Sequence, residues 1–109
     1  MLKPIALHIL LALADRDSHG YGVMRAIREQ SDGEVSVHTA SFYRHLGKLI
    51  DERLVAEAAA RRHPVDPRRG ASYRITPRGR QVLAAERRRL MQLVARFNRV
   101  KLLPRKADA

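Results

Sequence analysis

Three helical segments are predicted by the spacing of apolar residues in the first half of the chain. Residues 5–14 are apolar almost throughout, and Pro4 stands where the first turn of a helix tolerates proline, which predicts a central core helix. In residues 20–30 and 39–52 apolar residues recur every three or four positions, which is the period of a helix with one buried face. The predicted buried residues are Val23, Met24 and Ile27 in the second helix, and Phe42, Leu46, Leu49 and Ile50 in the third.

Short polar segments separate these helices. Turn-forming residues follow Asp15, and Ser18 is expected to cap the second helix. Asp32 and Gly33 end the second helix, and Thr39 is expected to cap the third. Because the third helix carries small and basic residues on its polar face, these three short helices have the layout of a helix-turn-helix.

Two short strands, a basic loop and one long helix are predicted in the second half. Residues 54–58 and 71–75 have the composition of strands, and the loop at 61–70 holds two prolines, one glycine and four arginines. Thr76 as N-cap and Pro77 as first residue open a final helix. A hairpin with a basic tip that follows directly on a third helix is a wing.

The predicted fold is mainly α within the α+β class, a winged helix-turn-helix with a two-stranded wing. The 109 residues suffice for one such domain. The chain is expected to divide into a winged helix-turn-helix domain at 1–76, a long C-terminal dimerisation helix at 77–102 and a flexible basic tail at 103–109.

The final helix carries an apolar stripe that the rest of the chain is too short to cover. Leu83, Leu90 and Phe97 recur every seven residues, and further apolar residues widen the stripe. A second copy of the same helix would bury it, so the sequence predicts a homodimer. Folding back onto the first helix is the alternative, and both can hold on different faces. The predicted dimerisation residues are Leu83, Leu90, Leu93, Val94, Phe97 and Val100.

Positive charge is concentrated in the second half of the chain. Residues 1–60 contain seven Lys or Arg and eight Asp or Glu, a net charge of −1, whereas residues 61–109 contain fifteen and three, a net charge of +12. This asymmetry predicts a polyanionic partner, and double-stranded DNA is the partner that fits a helix-turn-helix. A solvated surface and an incidental contact with ribosomal RNA are alternatives that charge alone leaves open.

No arrangement in the sequence is typical of a catalytic, cofactor or metal site. The five histidines lack metal-ligand spacing, and the chain has neither cysteine nor a glycine-rich phosphate loop. The apolar run at 5–14 is interrupted by His8 and is shorter than the ~20 residues that span a membrane. We therefore expect a cytoplasmic protein that is not an enzyme, has no cofactor and binds neither metal nor membrane.

Four segments resemble, in the same order and spacing, the motifs of PadR-like transcription regulators. The resemblance covers nearly the whole chain. It implies a repressor that binds an inverted-repeat operator as a homodimer, with recognition helices about 34–36 Å apart. Many such relatives respond to a small molecule, so an effector of unknown identity is a candidate partner. The four segments are His19–Gly22 (HGYG), Ser41–Leu49 (compare T-L-Y-R-x-L-x-x-L), Leu54–Val55, and Tyr73–Gly79 (compare Y-x-L/I-T-x-x-G).

The sequence departs from this family pattern in four places. Residues 37–40 are Val-His-Thr-Ala where L-G-P-G is frequent, which changes how the turn enters the third helix. Arg53 stands where glycine is usual, and the wing loop is longer and richer in arginine. The chain has no tryptophan, so the paired-tryptophan drug site of some relatives is missing, which argues against multidrug binding.

The third helix is expected to lie in the major groove of DNA. Arg44 can bind guanine through two hydrogen bonds, while Ser41 and Tyr43 are expected at phosphates. The wing arginines suit flanking phosphates or a narrow minor groove. The predicted DNA-binding residues are Thr39, Ser41, Tyr43, Arg44, Lys48, Arg61, Arg62, Arg68 and Arg69.

Structural alternatives compete with these assignments. Arg44 could form a surface salt bridge with Asp51 or Glu52, which would contribute little stability. Tyr43 could complete the core beside Phe42, and Tyr21 is expected to pack rather than to contact DNA.

The competing function is a basic winged-helix module that binds a protein or structured RNA. The altered turn before Thr39 and the long wing favour it. The run Arg87–Arg89 on the last helix is expected to be a solvated face that adds to the long-range electrostatic field.

Overall fold

The computed structural model describes residues 1–58 and 71–103, which form four helices and three short strands. Their order confirms the predicted winged helix-turn-helix with a long C-terminal helix. The helices are α1 (Pro4–Asp15), α2 (Gly20–Gln30), α3 (Thr39–Asp51) and α4 (Pro77–Arg99), and the strands are β1 (Ser18–His19), β2 (Val55–Ala58) and β3 (Ser72–Ile75).

Helix α1 is the centre of the core, as its apolar sequence predicts. Ile9, Leu10 and Leu13 are at most 1% exposed, and α1 packs against α2, α3, α4 and β3. The predicted faces of α2 and α3 are also confirmed. Their buried residues are Val23, Ile27, Phe42, Leu46 and Leu49, with Met24 and Ile50 partly buried against them.

A third strand joins the two predicted strands of the wing. β3 is the centre of an antiparallel sheet, with β2 on one side and the two-residue β1 on the other. Ser18 lies opposite Tyr73, and His19 lies opposite Ser72. Two residues are too few to show the alternation of a strand, so the sequence predicts only a turn here. The added strand fastens the α1–α2 connection to the wing.

The N-terminal caps of α2 and α3 differ from the predicted ones. Ser18 is taken up by β1, and the Nδ1 atom of His19 accepts the hydrogen bond from the Gly22 amide at 3.3 Å. Thr39 is the first residue of α3 and follows the N-cap position, His38, whose side chain makes no capping hydrogen bond. The predictions that Ser18 and Thr39 cap these helices are therefore wrong.

Helix α4 begins as predicted and is fixed to the end of α3. The Thr76 hydroxyl accepts a hydrogen bond from the Gly79 amide at 3.0 Å and donates one to the Arg53 carbonyl at 2.7 Å. Gly79 is required by close packing, because a Cβ atom there would overlap the Leu54 carbonyl oxygen and lie 2.7 Å from Cγ1 of Ile75. These contacts determine where α4 leaves the domain.

The far half of α4 extends beyond the domain. The described residues measure 65 × 27 × 20 Å and have a radius of gyration of 17.2 Å, whereas a compact domain of 100 residues has one of about 13 Å. The helix ends at Arg99, three residues before the predicted end, and residues 101–103 are not helical. The predicted basic tail lies outside the described residues from position 104 onward.

Candidate nucleic-acid interface

Helix α3 presents a polar, basic surface on the side that faces away from the core. Phe42, Leu46 and Leu49 fix its inner side at 0–3% exposure. Arg44 and Lys48 are exposed and, being four residues apart, lie one above the other on the outer side. The helix therefore presents two cations on a surface that the core holds in place. Thr39 and Ala40, in the first turn, are exposed as well.

Arg44 does not form a salt bridge with Asp51 or Glu52, which was the alternative to its role in DNA binding. Its Nη2 atom donates a long hydrogen bond of 3.5 Å to the hydroxyl of Ser41, one turn earlier. Within residues 1–58 and 71–103, no carboxylate lies within salt-bridge distance of this guanidinium. Its charge is therefore available to an anionic partner. Ser41 is half-buried.

Tyr43 lies at the border between the outer surface of α3 and the core. The residue is half-buried, and its ring meets that of Phe42 edge to face, with centroids 5.1 Å apart and an interplanar angle of 84°. Its hydroxyl closely approaches Gly20 at the start of α2. The predicted contact with phosphate stays a prediction, and the core-packing alternative accounts for part of the side chain.

The exposed position of Tyr21 was missed by the sequence interpretation. This side chain is 70% exposed at the start of α2, so the expectation that it packs is wrong. Gly20, Val23 and Ile27 share the buried face of α2, and position 21 lies off that face. The helical period could have revealed this exposure. The exposed ring is next in the chain to Gly20, which contacts α3.

The basic tip of the wing lies outside the described residues, which resume at position 71. The four predicted contacts there are Arg61, Arg62, Arg68 and Arg69, and they stay predictions. In the described part of the wing, Tyr73 and Ile75 of β3 face the core, while Arg74 between them is exposed.

A second, apolar surface lies between α1 and α4. A groove of about 430 Å³ is lined by Leu7 and Leu11 from α1 and by apolar residues of α4, with Arg80 and Arg87 also at its wall. The predicted dimerisation residues divide into two groups along α4. Leu83, Leu90 and Leu93 are half-buried, while Val94, Phe97 and Val100 are 47–56% exposed. Met91, at 56% exposure, and Leu11, at 45%, extend this apolar surface beyond the predicted set.

Glu86 is the buried charged residue of the described part of the chain. It is 5% exposed and accepts hydrogen bonds from Nε of Arg89 at 2.6 Å and from the Leu2 amide at 2.9 Å. These bonds, chiefly the one from Arg89, lower its pKa to about 2. Arg89 is half-buried, so the expectation of a solvated face is wrong for this member of the run Arg87–Arg89.

Neither a metal cluster nor a membrane helix is found where the structure is described. In residues 1–58 and 71–103, no three His, Asp or Glu side chains come together as a metal site. The same residues contain no helix with the length and apolar character needed to cross a bilayer.

Comparisons of sequence and fold relate the chain to transcription regulators. Residues 9–85 match the sequence profile described as "Transcriptional regulator PadR-like family". No curated protein sequence matches the chain significantly.

Solved structures share the fold at low sequence identity. A transcriptional regulator from Clostridium thermocellum is 22% identical with a TM-score of 0.73, over 88% of this chain and 92% of that one. A PadR family transcription regulator from Clostridium difficile is 19% identical with a TM-score of 0.74, over 88% and 96%. Bacillus subtilis PadR, solved in complex with operator DNA, is 19% identical with a TM-score of 0.65, over 95% of this chain and 52% of that one. With the profile match over most of the described fold, the chain belongs to the PadR-like family of transcriptional regulators.

Proposed function

We propose that the chain is a repressor that binds an inverted-repeat operator in double-stranded DNA as a homodimer. The observation that carries this proposal is the outer surface of α3. It holds Arg44 and Lys48 exposed on a helix whose inner side is fixed in the core. A rigid helix with unpaired cations on one side is suited to the major groove. The fold that the chain shares with a PadR solved on operator DNA supports the same mode of binding.

The residues of α3 have different roles in this proposal. Arg44 reads guanine, because its guanidinium can donate two parallel hydrogen bonds to the major-groove edge. Lys48, Ser41 and Thr39 bind phosphates, which fixes the position of the helix without reading sequence. Tyr43 also lies beside this surface, and its hydroxyl is a proposed phosphate donor. The proposed contacts to flanking phosphates or to a narrow minor groove come from the wing arginines, Arg61, Arg62, Arg68 and Arg69.

The apolar surface of α4 is the proposed dimer interface. Val94, Phe97 and Val100 are about half exposed on a helix that extends past its own domain, and apolar area of this kind is stabilised by burial at roughly 25 cal/mol per Å². A second copy supplies a matching stripe. The symmetric pair would then present two α3 helices about 34–36 Å apart, one turn of DNA.

Two finer proposals follow from the regulatory function. A cytoplasmic location is proposed, because the chain must reach the operator DNA that it binds. A small-molecule effector of unknown identity would act through the dimer. The groove between α1 and α4 has an apolar lining that could bind such a molecule.

The experiment compares binding to the DNA upstream of the chain's own coding sequence with binding to a scrambled duplex of equal length. Affinities are measured over a range of salt concentrations. We expect tight, preferential binding to the upstream DNA, with affinity that falls steeply as salt rises. Equal and wholly salt-sensitive binding to both duplexes would contradict the proposal and favour the protein- or RNA-binding module.

Replacement of Arg44 tests the contact that carries the proposal. Arg44→Ala should cost on the order of 1–3 kcal/mol on the operator and reduce discrimination between sequences. Arg88→Ala is the matched control, because it removes the same charge from an exposed position on α4. Equal losses in both variants would mean that charge alone is involved.

A further inference from the structure

The two glycines of the segment Gly20–Gly22 face different parts of the molecule. A Cβ atom added at Gly20 would overlap the hydroxyl oxygen of Tyr43 and lie 3.0 Å from its Cζ atom. A Cβ atom added at Gly22 would instead overlap the hydroxyl oxygen of Ser18. Gly20 is therefore a point at which the start of α2 touches α3, whereas Gly22 faces β1.

Tyr43 reaches this point from a supported position. Phe42, the residue before it, is fully buried, and the two rings are in edge-to-face contact. The added Cβ atom at Gly20 would also lie 3.5 Å from Cε2 of Phe42. The start of α2 thus rests on both aromatic rings of α3, and a methyl group at position 20 would have to displace the Tyr43 hydroxyl.

We propose that Gly20 and Tyr43 form the contact that sets the angle between α2 and α3, which makes Tyr43 a positioning residue for base recognition. This inference rests on the proposed DNA-binding function and adds the contact that orients the reading helix. Arg44 follows Tyr43 directly, so a rotation of α3 moves the guanidinium relative to the base edges. Base contacts require correct distance and direction at the same time.

A disturbed angle should affect base reading more than general attraction to DNA. Phosphate contacts are electrostatic, act over several ångströms and carry no sequence information. They persist through a small rotation of α3 that would break a bidentate contact to guanine. The ratio of affinities for operator and scrambled DNA therefore reports the orientation of α3 separately from its charge.

The test is Gly20→Ala, with Gly22→Ala as the matched control. Both variants make the same change within one turn of α2, but the added methyl group meets Tyr43 in the first and the rotatable Ser18 hydroxyl in the second. We expect Gly20→Ala to lower Tm by about 5–10 °C at a fixed protein concentration. We also expect it to reduce the operator-to-scrambled affinity ratio by roughly tenfold or more. Gly22→Ala should leave that ratio close to its original value.

Tyr43→Phe provides the second background. It removes the hydroxyl that the new methyl group would overlap and keeps the ring against Phe42. In this background Gly20→Ala should lose much less Tm and much less discrimination than it does in the original chain. Tyr43→Phe alone should weaken binding to both duplexes by a similar factor, because a phosphate donor is lost. It should keep most of the discrimination between them, because the ring still supports the start of α2.

Three outcomes would overturn the proposal. The first is a Gly20→Ala protein with an unchanged Tm, and the second is an equal loss for Gly20→Ala in the two backgrounds. Either result means that the two residues do not act together. The third is Tyr43→Phe alone weakening binding to both duplexes equally without thermal coupling to Gly20, which would make the hydroxyl a phosphate contact only. The unfolding measurements contain no DNA, so they test the contact between Gly20 and Tyr43 separately from DNA binding. If the Tm values show this coupling but the original chain binds operator and scrambled DNA equally well, the proposed function is overturned instead.

Discussion

Helices α3 and α4 expose opposite kinds of surface and are supported in opposite ways. α3 keeps its apolar residues inside and presents Arg44 and Lys48 to solvent. The far half of α4 does the reverse, with Phe97 and Val100 each 56% exposed. The surface of α3 is complete in a single chain, whereas that of α4 leaves apolar area in water until something covers it.

The difference shows how one small domain can separate two kinds of binding. A charged surface attracts a polyanion through solvent, and salt weakens that attraction. An apolar surface is stabilised by burial and needs a partner of matching shape. Under the proposed function, the first lies on a helix held by the core and the second on a helix that extends past it, so DNA recognition and assembly would use different elements.

The largest expected effect compares two phenylalanines. Phe42 is fully buried and Phe97 is 56% exposed. Phe42→Ala should destabilise the fold by about 3–5 kcal/mol, because it leaves a cavity in the core. Phe97→Ala should leave the folding of each chain almost unchanged and should instead weaken the proposed dimer, so that unfolding becomes less dependent on protein concentration. Denaturant titrations at several protein concentrations measure both effects. Similar results for the two variants would contradict the contrast between the buried face of α3 and the exposed face of α4.

A charge placed on the apolar stripe of α4 should have the next largest effect. Phe97→Glu should convert the proposed homodimer to monomer, because pairing two stripes would bury a carboxylate without a partner. Sedimentation measures the change in mass, and affinity for the complete inverted repeat should fall towards that for one half-site.

Gln92→Glu is the control for this variant. It adds the same charge at an exposed position on the opposite side of α4 and should stay dimeric. A Phe97→Glu protein that also remains dimeric would mean that the far half of α4 is not the interface.

The buried faces of α1, α2 and α3 could be predicted because burial follows the helical period. Phe42, Leu46 and Leu49 recur at three and four residues, and no distant contact is needed to place them. The polar side of α3, with its candidate DNA contacts, follows from the same period. Family resemblance then indicates what such a surface binds.

Features that depend on contacts distant in sequence could not be predicted in this way. β1 exists because two residues pair with a strand that lies more than fifty positions later, and two residues show no period. Glu86 stands beside three arginines and has the local sequence of a solvated face, but residue 2 covers it from 84 positions away. The contact between Gly20 and Tyr43 likewise becomes visible only when α2 and α3 are placed together.

Removal of one proposed phosphate contact should have a smaller effect. Lys48→Ala should weaken binding to operator and scrambled DNA by similar factors and reduce the slope of log affinity against log salt by about 1. Titrations at several salt concentrations measure this slope. A loss confined to the operator would show that Lys48 reads bases, which would extend the sequence-reading part of α3 by one turn beyond Arg44.

The smallest expected effect concerns the point where α4 is attached to the start of the chain. Hydrogen bonds from Arg89 and the Leu2 amide lower the pKa of Glu86 from 4.5 to about 2. A lowered pKa in the folded state means that the carboxylate stabilises the fold fully above pH 4.5, and that this stabilisation is lost as pH falls towards 2. Glu86→Gln should therefore be less stable than the original chain at neutral pH, and the gap in unfolding free energy should narrow between pH 4.5 and 2.

Glu34→Gln is the matched control for this variant, since it removes one carboxylate from an exposed position between α2 and α3. At neutral pH, the difference in unfolding free energy between this control and the original chain should be smaller than the difference for Glu86→Gln. A Glu86→Gln gap that stays constant on acidification would show that shape rather than charge holds residue 2 against α4. The near half of α4 would then resemble the core of α3 in being fixed by packing alone, and the contrast between the two helices would be confined to the far half of α4.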